Sequence, residues 1–131
     1  MNIAVRYYSR SGNTRLVAEA IANAAGVPAV SVDSPEAGLD EPVDVLFIGG
    51  ALYAYGIDAH LEAYLQSLKK ENVKKAVIFS TTWISKHSIA LIRDGLANQG
   101  IDAVEESLYF RGKPNERQLK QAGMFAKQFL R

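Results

Sequence analysis

The run Val45-Leu46-Phe47-Ile48 constrains this chain more than any other segment. It is continuously apolar and ends at the glycine pair Gly49-Gly50. A strand with one wet face alternates apolar and polar residues, whereas an unbroken run belongs to a strand covered on both sides. Ala76-Val77-Ile78-Phe79 repeats the pattern. Ile3 to Tyr8 reads as a first strand and Val27 to Val32 as a short second one. Residues 101–110 carry a last strand, split or edge-like, because Asp102, Glu105 and Glu106 interrupt it.

Between these strands the apolar period changes from two to about 3.6 residues. Leu16, Val17, Ala20, Ile21 and Ala24 mark one helix, stopped by Gly26 with Pro28 beyond it. Leu61, Tyr64, Leu65 and Leu68 mark a second helical face. Ile89, Ile92 and Leu96 mark a third, stopped by Gly100. Leu119, Ala122, Ala126, Phe129 and Leu130 mark a helix at the C-terminal side. Residues 33–42 hold two prolines, a glycine and four acids, and read as a loop with room for one helical turn. Strands alternating with helices predict a parallel sheet covered on both faces, built from right-handed crossovers. A chain of 131 residues is expected to form a single domain, 1–131.

Composition narrows the function. Lys and Arg number 15 against 14 acids, a net charge of +1, which gives no electrostatic case for nucleic acid or an anionic membrane. No segment reaches the length of a membrane span, and Met1 to Arg6 lacks the pattern of a secretory leader. There is no cysteine, so disulfides, thiolate metal sites and cysteine nucleophiles are excluded. A cytoplasmic setting is the expectation.

In a parallel sheet, ligands bind beyond the carboxyl ends of the strands, where the strand order reverses. Three loops leave those ends. The first is Ser9-Arg10-Ser11-Gly12-Asn13-Thr14, between a strand and a helix. Unpaired N–H groups and the dipole at a helix start favour a phosphate. A simple cap needs one hydroxyl, whereas this segment supplies Ser9, Ser11, Thr14 and the Asn13 amide, with Gly12 allowing close approach. Arg10 and Arg15 add charge or are solvated.

The second loop is Gly49-Gly50-Ala51-Leu52-Tyr53-Ala54-Tyr55-Gly56. Its two tyrosines offer a stacking surface for a flat ligand, Tyr53 and Tyr55 being equal candidates. The third is Ser80-Thr81-Thr82-Trp83-Ile84-Ser85-Lys86-His87, with the only tryptophan of the chain. Trp83 either forms the other wall of an aromatic slot or plugs the core beside the next helix. His87 reads as a first-turn residue rather than a catalytic base. Lys69, Lys70, Lys74 and Lys75, at the opposite end, read as solvated surface, as do Asp40, Glu41 and Asp44.

The segment Tyr8 to Thr14, following a first strand and opening a helix, resembles the hydroxyl-x-hydroxyl-Gly-Asn-Thr phosphate loop of the flavodoxin family, and the likeness to its short-chain branch runs the whole length. The resemblance implies a three-layer α/β/α sandwich with a five-stranded parallel sheet of order 2-1-3-4-5, and FMN at the switch point. It implies that Ser9, Arg10, Ser11, Gly12, Asn13 and Thr14 hold the FMN phosphate. Gly50, Ala51, Leu52, Tyr53, Tyr55 and Gly56 would flank one face of the isoalloxazine. Thr81, Thr82, Trp83, Ile84 and Ser85 would flank the other face and the pyrimidine edge. Flavodoxins are typically strongly acidic and this chain is not, a departure that bears on its potential and its partners. Arg111 and Lys113 follow the last strand at the same end and read as solvated surface or a basic rim.

The family resemblance implies an electron carrier between redox partner proteins, a reductase or an electron acceptor, in which the flavin does the chemistry and no catalytic side chain or metal is needed. The alternative on the same fold is an FMN-dependent reductase or dehydrogenase acting on a quinone or porphyrinogen-type substrate. Other users of such sheets fit less well. A phosphorylatable receiver needs acids where Tyr7-Tyr8 and Gly49-Gly50 stand. A low-molecular-weight phosphatase needs a cysteine in the phosphate loop. A nucleoside triphosphatase needs Gly-x4-Gly-Lys-Ser/Thr. A binding module without its cofactor is the remaining reading.

Overall fold

The computed structural model describes residues 1–130. The sheet contains β1 (Ile3–Tyr7), β2 (Ala29–Ser31), β3 (Val45–Gly50), β4 (Ala76–Thr81) and β5 (Ala103–Phe110). All neighbours pair in parallel, in the order β2-β1-β3-β4-β5. Four α-helices flank it: α1 (Asn13–Ala25), α2 (Ala59–Ser67), α3 (His87–Asn98) and α4 (Glu116–Lys127). The expected fold class is the one found.

β3 and β4 are buried at every position. Their side chains alternate between two cores, as the period of a strand requires. Leu46, Ile48, Ala76 and Ile78 face α2 and α3, joining Leu61, Leu65, Ile92 and Leu96. Val45, Phe47, Val77 and Phe79 face α1 and α4, joining Val17, Ile21, Ala122 and Ala126. Full burial of one such side chain contributes about 1.5–3 kcal/mol, so the central strands anchor both layers.

Residues 33–42 form the expected loop, as successive turns without a helix. The segment still covers the sheet where a crossover helix would lie. Ala37 is buried, and its carbonyl accepts from Arg6 Nε at 2.8 Å and from the Tyr64 hydroxyl at 2.6 Å. β2 departs from the sequence reading in length: it pairs over Ala29–Ser31 only. The last strand is an edge strand, as its charges suggested. Ala76 pairs with Ala103 and Ile78 with Ser107, so β5 carries extra residues at that point, and Glu105 and Glu106 are exposed there.

The functional consequence is the path of the chain leaving β1 and β3. The β1 loop leads to α1 on one face of the sheet, and the β3 loop leads to α2 on the other. Adjacent loops that part in this way open a crevice at the carboxyl edge.

Candidate functional site

The loop after β1 is shaped by a single left-handed residue. Gly12 has φ of 95° and caps α1 without a side-chain bond. A Cβ there would meet nothing within 4 Å, so the requirement for glycine is conformational. Ser9 Oγ accepts from the Gly12 N–H at 3.0 Å, and Ser11 Oγ accepts from the Asn13 N–H at 3.3 Å. The N–H groups of Thr14 and Arg15 find no acceptor among the described residues. The helix start therefore keeps open donors beside positive dipole charge.

Thr14 plays a different part from its neighbours. It is 1% exposed, and its hydroxyl shares a 2.7 Å hydrogen bond with the Thr81 hydroxyl at the end of β4. Its side chain ties the first loop to the third.

The second and third loops are joined in the same manner. Ser80 Oγ donates to the Gly50 carbonyl at 2.5 Å and is 2.6 Å from Ser88 Oγ, while Thr82 Oγ1 donates to the Leu52 carbonyl at 3.3 Å. Backbone bonds between Tyr53 and Gly56, at 2.7 and 3.0 Å, close the intervening turn. Gly49 and Gly50 are needed for space. A Cβ on Gly49 would stand 2.3 Å from the Phe79 ring, and one on Gly50 would stand 2.4 Å from Leu61. Gly50, Leu52, Thr81 and Thr82 are buried, and Ala51, Tyr53 and Gly56 are half-buried.

Tyr55, Trp83, Ile84 and Ser85 are exposed. Ser85 Oγ accepts from the His87 N–H at 3.2 Å, at the start of α3. Trp83 does not plug the core: it is 67% exposed. Its indole covers Gly112, where a Cβ would stand 2.2 Å from the ring, and Arg111 lies 5.9 Å from its centroid. The structure thus sets Trp83 on the turn after β5.

Arg10 joins the first two loops. Its guanidinium lies 4.0 Å from the centroid of Tyr53, donates to the Tyr55 hydroxyl, and bonds Asp58 Oδ2 through Nε at 3.0 Å. Tyr53 and Tyr55 are themselves stacked, with centroids 6.2 Å apart. Asp58 is 4% exposed and caps α2 by accepting from the His60 N–H at 2.7 Å. Burial alone would raise its carboxyl pKa. The His60 amide, the Arg10 guanidinium and the His60 ring outweigh that and hold it below the ordinary range. The His60 ring stacks on Tyr8 at 4.9 Å and bonds Asp58 through Nδ1 at 2.9 Å. Burial moves the Tyr53 phenol the other way, upward.

Asp58 and His60 were not singled out by sequence reasoning, and Tyr8 only as the start of the phosphate-loop motif. A signal existed for Asp58: an aspartate just before the apolar stripe of α2 is an N-cap pattern. Its pairing with Arg10, 48 residues away, had none.

A family model described as a flavodoxin domain matches residues 4–129. The chain belongs to the flavodoxin family. Flavodoxins are FMN-binding proteins, and family and fold together support an FMN-type electron-transfer role. Among solved structures the chain is similar to a flavodoxin from the domain Archaea, at 22% identity and a TM-score of 0.77, covering 99% of this chain and 96% of that one. It is similar to oxidised flavodoxin 1 from Bacillus cereus at 21% identity and a TM-score of 0.78, covering 98% and 97%. It also matches 35% of the rubredoxin oxygen:oxidoreductase of Desulfovibrio gigas, at 16% identity, 98% coverage of this chain and a TM-score of 0.81. At these identities the likeness is one of fold. No curated protein sequence matches the chain. Among the described residues, no helix is long and apolar enough to cross a membrane.

Proposed function

We propose that this flavodoxin holds FMN at the carboxyl edge of its sheet and carries electrons between redox partner proteins in the cytoplasm. The observation that carries the reading is the helix start at Gly12, with open Thr14 and Arg15 N–H groups flanked by Ser9, Ser11 and Asn13. Those groups fit a phosphate dianion, which fixed N–H donors bind without reorganising. Ser9 and Ser11 brace the loop and aim it. Thr14 sets its distance from β4 rather than meeting the ligand with its hydroxyl.

The isoalloxazine lies between the loops of residues 50–56 and 81–85 in this reading. When bound, FMN supplies one- and two-electron transfer. Tyr53 offers it a half-buried ring. Arg10 lies across that ring and pairs with Asp58; in this reading it turns from that carboxylate to the phosphate.

The test is a titration with FMN and with riboflavin. FMN should bind far more tightly, because in this reading the phosphate is what the open N–H groups grip. Equal affinity for the two would remove the phosphate loop from the site and the reading with it.

The reductase alternative has one observation in its favour. His60, paired with Asp58 at the rim, is an acid–base group beside the proposed flavin position. Steady-state NAD(P)H or quinone turnover by the FMN-loaded protein would establish it. A protein that accepts electrons but turns nothing over is a carrier.

A further inference from the structure

The charges at the carboxyl edge are sorted by strand. Asp33 and Glu36 follow β2 on the far side of β1 and are exposed. On the other side, residues 81–87 and 110–115 contain Lys86, Arg111 and Lys113, all exposed, and no acid. Asp58 is the one acid in the loops 9–15, 50–58, 81–87 and 110–115, and it is buried against Arg10. The chain as a whole is nearly neutral, at +1, so this side of the edge is a local excess of positive charge.

Exposed apolar surface lies on the same loops. Trp83 is 67% exposed and Ile84 is 63% exposed, although both lie beside the end of a fully buried strand. Packing holds the indole in place. The indole rests on the Gly112 turn next to Arg111, and Lys86 Nζ lies 5.5 Å from the Tyr109 ring. The Tyr109 hydroxyl donates to the Thr82 carbonyl at 2.8 Å, joining the β4 and β5 loops into one surface. An apolar centre with a charged rim is the usual anatomy of a protein docking patch. Rim charges of one sign steer a partner of the other sign and reject like-charged ones.

We infer that Trp83 and Ile84, with Lys86, Arg111 and Lys113 on the same two loops, form the docking surface for an electron-transfer protein with an acidic face. The inference rests on the FMN carrier reading, since Trp83 and Ile84 belong to the loop 81–85 proposed to flank the flavin, and a partner seated on their outer side would meet its edge. The polarity of this surface is opposite to that of a strongly acidic carrier. A small anion would need only the cations, whereas a protein also covers the exposed apolar surface beside them, so a protein is the better fit.

The test measures binding of the FMN-loaded protein to plant-type [2Fe–2S] ferredoxin as an acidic probe and to cytochrome c as a basic one, at low and high salt. Ferredoxin should bind, and more weakly as salt screens the rim. The double reversal Lys86→Glu/Arg111→Glu should weaken ferredoxin by at least about tenfold and leave FMN affinity unchanged. Preference for cytochrome c, salt-independent ferredoxin binding, or an unaffected variant would overturn the inference. The carrier reading fails separately: a protein that takes up no FMN, yet binds ferredoxin through Lys86 and Arg111, keeps the surface and loses the cofactor.

Discussion

The loop after β1 and the loops after β3 and β4 meet at one edge of the sheet, yet they are built in opposite ways. The first is braced by its own residues. Ser9 and Ser11 accept from Gly12 and Asn13, two or three positions along, and Gly12 supplies the only unusual dihedral. The others are held from a distance. Ser80 reaches Gly50, Thr82 reaches Leu52, and Tyr109 reaches Thr82, each across about thirty residues. A locally closed loop can present a fixed set of N–H donors whatever happens around it. A loop closed by tertiary bonds takes its shape from the packing beneath it. The first arrangement suits an invariant phosphate. The second lets a protein adapt the surroundings of a ring and of a partner while the fold stays fixed.

That contrast breaks most sharply at Gly49. In Gly49→Val the new side chain runs into the Phe79 ring and carbonyl, 2.3 and 2.6 Å from the Cβ position. It should cost about 3 kcal/mol or more of stability, read by denaturant unfolding. Wild-type stability would mean that β3 and β4 can part at the site.

Ser11→Asp tests the first loop. Ser11 is exposed, so folding should be unaffected. A fixed anion beside the phosphate should weaken FMN by about a hundredfold, while riboflavin affinity barely changes. Equal losses for both ligands would place the effect elsewhere than at the phosphate.

Thr14→Val cuts the one side-chain bond between the first and third loops and leaves the buried Thr81 hydroxyl unpaired. A loss of about 1–3 kcal/mol in stability is expected, with a smaller loss in FMN affinity. A stability loss without any change in affinity would show that the loops need not be registered.

The smallest effect belongs to Asp58→Asn, which keeps a capping oxygen for α2 and removes the charge that holds Arg10. The Asp58 pKa is depressed in the folded protein. Its contribution is therefore present above the unfolded carboxylate range, near about pH 4, and is lost as pH falls through the lower folded value. Wild type and variant should differ by about 1 kcal/mol or less at neutral pH and converge in acid. A difference that grows on acidification would contradict the assignment.

Of the fold, most was legible in the sequence. The apolar runs of β3 and β4 are unbroken because both faces are buried, and the glycines and stripes around them mark where helices begin and stop. The segment 33–42 was harder. Its covering role depends on the Ala37 carbonyl meeting Arg6 and Tyr64, partners 31 and 27 residues away. Of the candidate site, the shape of residues 9–14 could be read because its bonds are local. Trp83 could not be placed, because its position is set by the Gly112 turn on a different strand.

Sequence alone determined the alternation of strand and helix, the doubly buried sheet and the hydroxyl-rich turn at the first helix, since each depends on residues within a few positions of one another. Only the tertiary structure decided that Thr14 turns inward to Thr81, that Arg10 spans to Asp58, and that Trp83 and Ile84 stand outside among cations. Those outcomes join residues far apart in the chain. The parallel crossovers bring such residues together through packing, which no local pattern records.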